Sequence, residues 1–239
     1  MDTAAARHVP PGAGLPPFNF SINPTEGHHH LLGGTPADVT NFFSYSQMGN
    51  VGLVAFSGAH PLEQLRPLLA EACAWLPKQA GLRVAVIMGH WDHSGDGSTN
   101  ETTAPGLFEI ARQMAGCKLL DQRRMLKFVC GHVHCNIPHP HGHVGTGFMV
   151  GGQGMTTTDG DGCHEGANFG VPLLATTAER VRVWYFPVAT MHNETDQYDA
   201  VHTCVSERGW SQCTHLATMW LDEPLPPPFS PLEVSAPAL

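Results

Sequence analysis

Apolar and polar positions divide this chain into a regular central stretch and two irregular ends. Val51-Gly52-Leu53-Val54-Ala55-Phe56 is a short, continuous apolar run bounded by turn residues, the pattern of a buried strand. Arg83-Val84-Ala85-Val86-Ile87-Met88 and Leu126-Lys127-Phe128-Val129-Cys130 read the same way. Between the first two runs, Leu62, Leu65, Leu69, Ala72, Cys73 and Leu76 recur at helical spacing, and Pro61 suits a first turn. Pro67 predicts a kink, or a helix that begins near it, because it donates no backbone hydrogen bond. Between the second and third runs, Leu107, Ile110, Ala111 and Met114 form a stripe. Thr103 is placed to cap it, Pro105 sits in the first turn and Gly116 is the expected stop. Strand, helix, strand, helix, strand at this spacing predicts an α/β domain.

After residue 134 the period changes from helical to alternating. Phe148-Met149-Val150, Val171-Pro172-Leu173-Leu174-Ala175 and 180–186 read as strands, the last two joined by a turn at 177–179. A Gly-rich loop, 151–170, lies between them. Tyr198, Val201 and Val205 predict a short helix. The expected organisation is an irregular segment over 1–40, one domain over 41–222 and a Pro-rich tail over 223–239.

Composition narrows the function classes. The 239 residues suit one domain, and 42% hydrophobic residues suffice for a core. A net charge of −9 without a Lys/Arg cluster argues against a nucleic-acid surface. No apolar run is long enough to span a bilayer, so a soluble chain is expected, with its compartment undefined. The seven cysteines contain no C-x-x-C pair, which removes zinc-ribbon and redox motifs. Cys73, Cys117 and Cys130 lie among apolar residues and are expected as buried thiols. Cys204 and Cys213 flank a short loop and can pair in an oxidising compartment.

Histidine is the outlier, at 16 residues. The informative ones follow strands: Gly89-His90 follows the 83–88 run, and Gly131-His132-Val133-His134 follows 126–130. Imidazole suits Zn, Fe and Mn, and strand ends hold such ligands rigidly. His28, His29 and His30 are loop histidines whose bland reading is compositional bias. Asp159, Asp161, His164 and Glu165 read as a solvated acidic loop. Asp92, His93 and Asn136 read first as loop and turn residues, with contact to ligands or substrate as the alternative.

This arrangement resembles the calcineurin-like (purple-acid-phosphatase-like) metallophosphoesterases, from about Phe43 to Val188. Val86-Ile87-Met88-Gly89-His90 is similar to that family's fourth motif, and Phe128-Val129-Cys130-Gly131-His132-Val133-His134 to its fifth. Tyr45–Val51 resembles the strand after its Gly-Asn-His segment, and 148–155 with 169–186 its closing strands. The resemblance implies a two-sheet α/β sandwich with flanking helices, of which this chain holds the C-terminal half. It implies hydrolysis of phosphate esters by hydroxide held between two metal ions (Zn, Fe or Mn). His90 and His132 would ligate one ion and His134 the other. The family's Asp-x-His, Gly-Asp-x-x-Asp and Gly-Asn-His-Asp/Glu motifs are not found here. The expected site is therefore truncated or degenerate, with weak or no activity, and an apolar face left uncovered would favour self-association.

Two other readings compete. His90-Trp91-Asp92-His93-Ser94-Gly95 matches the second part of the metallo-β-lactamase signature H-x-H-x-D-H-x-G, with Met88 where the first His belongs and His143 as a downstream ligand. The non-enzymatic reading is a remnant that serves as a binding or interaction module.

Overall fold

The computed structural model describes residues 18–19, 43–94, 98–151, 168–190, 196–227 and 229. The 28–30 histidines and the acidic stretch 159–165 lie outside them.

The protein is a mixed α/β structure with two sheets. The larger sheet contains β1 (Phe18–Asn19), β2 (Phe43–Met48), β3 (Val51–Phe56), β4 (Val84–Gly89), β5 (Leu126–Cys130), β6 (Asn136–Pro138) and β7 (Gly147–Val150), in the order β1-β2-β3-β4-β5-β7-β6. β3, β4, β5 and β7 run parallel, and β1, β2 and β6 are antiparallel to their neighbours. β2 and β3 form a hairpin whose two-residue turn places Gly49 at φ 61, where a side chain would be strained. The smaller sheet, β10-β9-β8, is antiparallel: β8 (Asn168–Thr176), β9 (Arg180–Thr190) and β10 (Thr218–Pro224). Thr177 Oγ1 fixes the β8–β9 turn by accepting from the Glu179 and Arg180 amides.

Parallel neighbours need crossovers, and the helices supply them. α1 (Leu62–Trp75) joins β3 to β4, while α2 (Ala104–Ala111) and α3 (Ala115–Gln122) join β4 to β5. Val84, Ala85, Val86 and Ile87 are all buried, as expected for a strand covered on both faces. Leu65, Leu69, Ala72, Leu107, Phe108 and Leu120 fill the core beside them, and Val181, Val183 and Leu221 bring the second sheet into it. α4 (Asp196–Arg208) packs on β9 around Phe186, Val201 and Cys213.

Several expectations are corrected. α1 runs through Pro67 from Leu62, so the proline neither starts nor ends it. Gly116 does not stop α2, which ends at Ala111; it is the second residue of α3. A Cβ there would lie 1.9 Å from the Cys73 carbonyl oxygen, so the glycine permits close approach of α3 to α1. Cys73 and Cys117 are not thiols but a disulfide across that contact. Cys204 and Cys213 are also bonded, Cys135 is in a disulfide, and Cys130 is a buried free thiol. The strand β10 was not anticipated, and the chain after it is held. Leu225 N donates to Glu179 O at 2.6 Å, Arg83 to Pro226 O at 2.6 Å and Arg123 to Pro227 O at 2.9 Å. Among the described residues no helix is long and apolar enough to cross a membrane. Their exposed large hydrophobics are Met48, Val144, Val171, Tyr198 and Met219.

Candidate metal-binding site

The parallel register of β4 and β5 brings two strand–Gly–His segments side by side. The Gly131 amide donates to the His90 carbonyl at 2.9 Å, which ties the two exits together. His132 Nδ1 then lies 3.3 Å from His90 Nε2. Their rings meet edge to face with centroids 5.3 Å apart.

The 131–135 loop is tightly wound. Val133 N donates to Gly131 O at 2.9 Å, and Cys135 N to Val133 O at 2.7 Å. His132 sits at φ 68, in the left-handed region that non-glycine residues rarely adopt. Such strain clusters at functional positions. The loop is clamped from β7, whose following residue Gly151 donates to Cys135 O at 2.8 Å. A Cβ on Gly151 would stand 1.9 Å from Val133 O, so only glycine fits beneath the loop.

Burial lowers the His90 pKa, and the neighbouring His132 and His134 add to this, while Asp92 opposes it. His90 is therefore biased towards the neutral imidazole, the form that can ligate a metal. His134 is half-buried and close enough to act on His90 electrostatically.

Asp92 is not solvated, as its loop position had indicated: only 4% of it is exposed. It accepts from His93 Nδ1 at 2.8 Å, and the His93 ring packs 5.1 Å from that of His132. A buried carboxylate on one ring nitrogen fixes the orientation of the other. The sequence signal was the adjacent Asp-His pair, but nothing in it announced the burial. Asn136, on β6, donates to the Tyr185 hydroxyl at 3.3 Å, and burial pushes that phenol up to about 12. Behind the site, burial also pushes the Cys130 thiol up to about 12. His143 packs edge-on against Phe108 and Phe128, with Glu109 3.9 Å away.

The histidine pair fits one edge of a metal site. Two nitrogens each about 2.05 Å from one tetrahedral zinc stand about 3.3 Å apart, the separation His90 and His132 already have. The wider site is not assembled: among the described residues no group of three or more His, Cys, Asp or Glu side chains is arranged to hold a metal ion. That applies equally to His90, His132 and His134 and to His90, Asp92, His93 and His143.

Comparison with known proteins adds no identity. No family model matches the chain, and no curated protein matches it. Among solved structures, a probable enoyl-CoA hydratase from Mycobacterium smegmatis aligns with 11% identity and a TM-score of 0.23. The alignment covers 38% of this chain and 40% of that one, so this chain spans under half of that protein's length. A likeness of that size carries no argument about fold or activity.

Proposed function

We propose that this chain carries part of the active site of a metal-dependent phosphoesterase, a hydrolase of phosphate esters in the calcineurin-like class. The observation that carries the reading is the His90–His132 pair, delivered by adjacent parallel strands with ring nitrogens 3.3 Å apart. In this reading the two sheets correspond to that class's sandwich, and His134, which is not arranged with the pair to hold an ion, would have to move to join it as a further ligand. A cation bound there would polarise a phosphoryl oxygen and acidify water.

The roles of the chain's own residues follow from their surroundings. His90 and His132 offer neutral nitrogens to a single cation. Asp92 holds His93 in one orientation, so its other nitrogen can meet a phosphate oxygen bound beside His132. A second cation needs a bridging carboxylate, and among the described residues no group of three or more His, Cys, Asp or Glu side chains is arranged to hold an ion. Turnover by this chain by itself is therefore expected to be slow.

Phosphorus NMR tests the reading. Mn²⁺-loaded protein should broaden the resonance of phenylphosphonate, and His132→Ala should abolish the broadening. Broadening that persists in His132→Ala and in His90→Ala would remove the proposed site. Fast, chelator-sensitive hydrolysis of an aryl phosphate would show that the ligand set is complete, with ligands beyond the three histidines.

A further inference from the structure

A second site lies away from the histidine pair, near the start of β5. There the loop before β7 and strand β10 border an open cleft of about 460 Å³. Its walls include Arg124, Lys127, His139, Trp220, Asp222 and Glu223. The Lys127 side chain is only 1% exposed. An ammonium has three donors. Lys127 places one on Gly145 O at 2.6 Å and one on Glu223 Oε2 at 2.8 Å, which leaves the third. Burial pulls the Lys127 pKa down and Glu223 opposes this, so a further anion would hold its charge.

The charges leave a surplus. Glu223 faces Lys127, and Asp222 faces Arg180 at 2.6 Å and Arg182 at 3.3 Å. Arg124 lines the cavity and has no ion-pair partner among the described residues. Every carboxylate of the wall is matched by a cation, and one guanidinium is left over. Trp220, stacked on Tyr185 with centroids 4.5 Å apart, gives the wall an apolar part.

Backbone strain marks the same place. Three non-glycine residues of the described chain have left-handed φ: Arg124, His132 and His139. His132 belongs to the site above; Arg124 and His139 line this cavity, Arg124 as the left-handed cap that ends α3, where Met125 N donates to Leu120 O at 2.8 Å. Gly145, also left-handed at φ 72, closes against Glu223 so tightly that a Cβ would stand 2.8 Å from Oε1. His139 Nδ1 accepts the Gly145 amide at 3.0 Å and so holds that turn. The left-handed His139 and the tight Gly145 turn therefore hold this wall of the cavity in one shape.

We propose that this cavity binds a small organic acid, its anionic group on Arg124 and Lys127 and its apolar body against Trp220. The site is independent of the phosphoesterase reading. Calorimetric titration of the whole chain with 2-naphthoate tests it, with 2-naphthalenemethanol and inorganic phosphate as controls. Naphthoate should bind saturably and at least about tenfold more tightly than either control, since a charge-assisted pair and an apolar contact each contribute. Arg124→Gln should weaken binding about tenfold without lowering Tm, because the residue is exposed. Arg124→Gly should weaken it too while raising Tm, since glycine relieves the left-handed strain. His132→Ala should leave it unchanged. Absence of saturable binding would overturn the proposal. So would equal binding of either control, binding insensitive to Arg124→Gln, or binding lost in His132→Ala.

Discussion

Gly151→Ala is the sharpest perturbation of the proposed metal site that touches none of its ligands. The new Cβ would be built 1.9 Å from the Val133 carbonyl oxygen and 2.9 Å from its carbonyl carbon. Real Cβ contacts stay beyond 3.0 Å, so one backbone must retreat by about an ångström. Neither backbone can do so freely. Gly151 donates to Cys135 O, and residues 131–135 are wound through two tight turns. Overpacking of this kind costs about 1–3 kcal/mol, and a loosened Cys135–Gly151 hydrogen bond adds about 1 kcal/mol. For a chain of this size the expected loss is roughly 4–16 °C in Tm. The displaced atom belongs to the residue between His132 and His134, so the His90–His132 separation should change with it. Calorimetry reads the first effect. Cobalt absorbance on titration reads the second, as weaker binding with a less tetrahedral spectrum. A Gly151→Ala protein with unchanged Tm and unchanged cobalt binding would refute the idea that β7 sets the loop's position.

Other outcomes follow from the disulfides and the buried acids. Removal of Cys73–Cys117, whose cysteines are 44 residues apart, should cost about 4 kcal/mol by chain entropy, against about 2.5 kcal/mol for Cys204–Cys213, nine apart. Denaturant unfolding of the two double-alanine variants checks that order, and a reversed order would contradict it. Tyr185 and Cys130 both titrate higher in the folded chain, near 12, than their ordinary 10.0 and 9.0. The unfolded chain therefore loses these protons first. Their contribution is intact below about pH 9 and is lost as pH rises towards 12. Tm should fall over that window, and Tyr185→Phe and Cys130→Ala should each flatten the fall. A slope unchanged in both variants would show that other groups cause it.

The central elements were legible in the sequence because periodicity reports burial directly. Val84–Ile87 has no polar interruption, which is what a strand covered on both faces requires. The stripe from Leu62 to Leu76 is one helical face, and Pro67 could not break it, since packing of Leu65, Leu68 and Leu69 holds the helix around it. Elements fixed by partners distant in sequence were not legible. β10 mixes exposed and buried positions without strict alternation, and it is defined by its ladder to β9. Gly116 looked like a stop because its reason, the Cys73 carbonyl, lies on another helix. At the candidate site, the histidines were visible through the strand–Gly–His repeat. The burial of Asp92 and of Lys127 was not, because each depends on neighbours that only the fold brings together.

Metal binding at the histidine pair tests the account most directly. Calorimetric titration of the purified chain with Zn²⁺ near neutral pH should show one saturable equivalent. His90→Ala and His132→Ala should each remove it, while Asn136→Ala should leave it in place. Absence of saturable binding, or binding that survives both histidine substitutions, would contradict the claim that β4 and β5 present the two nitrogens as an edge of a metal site.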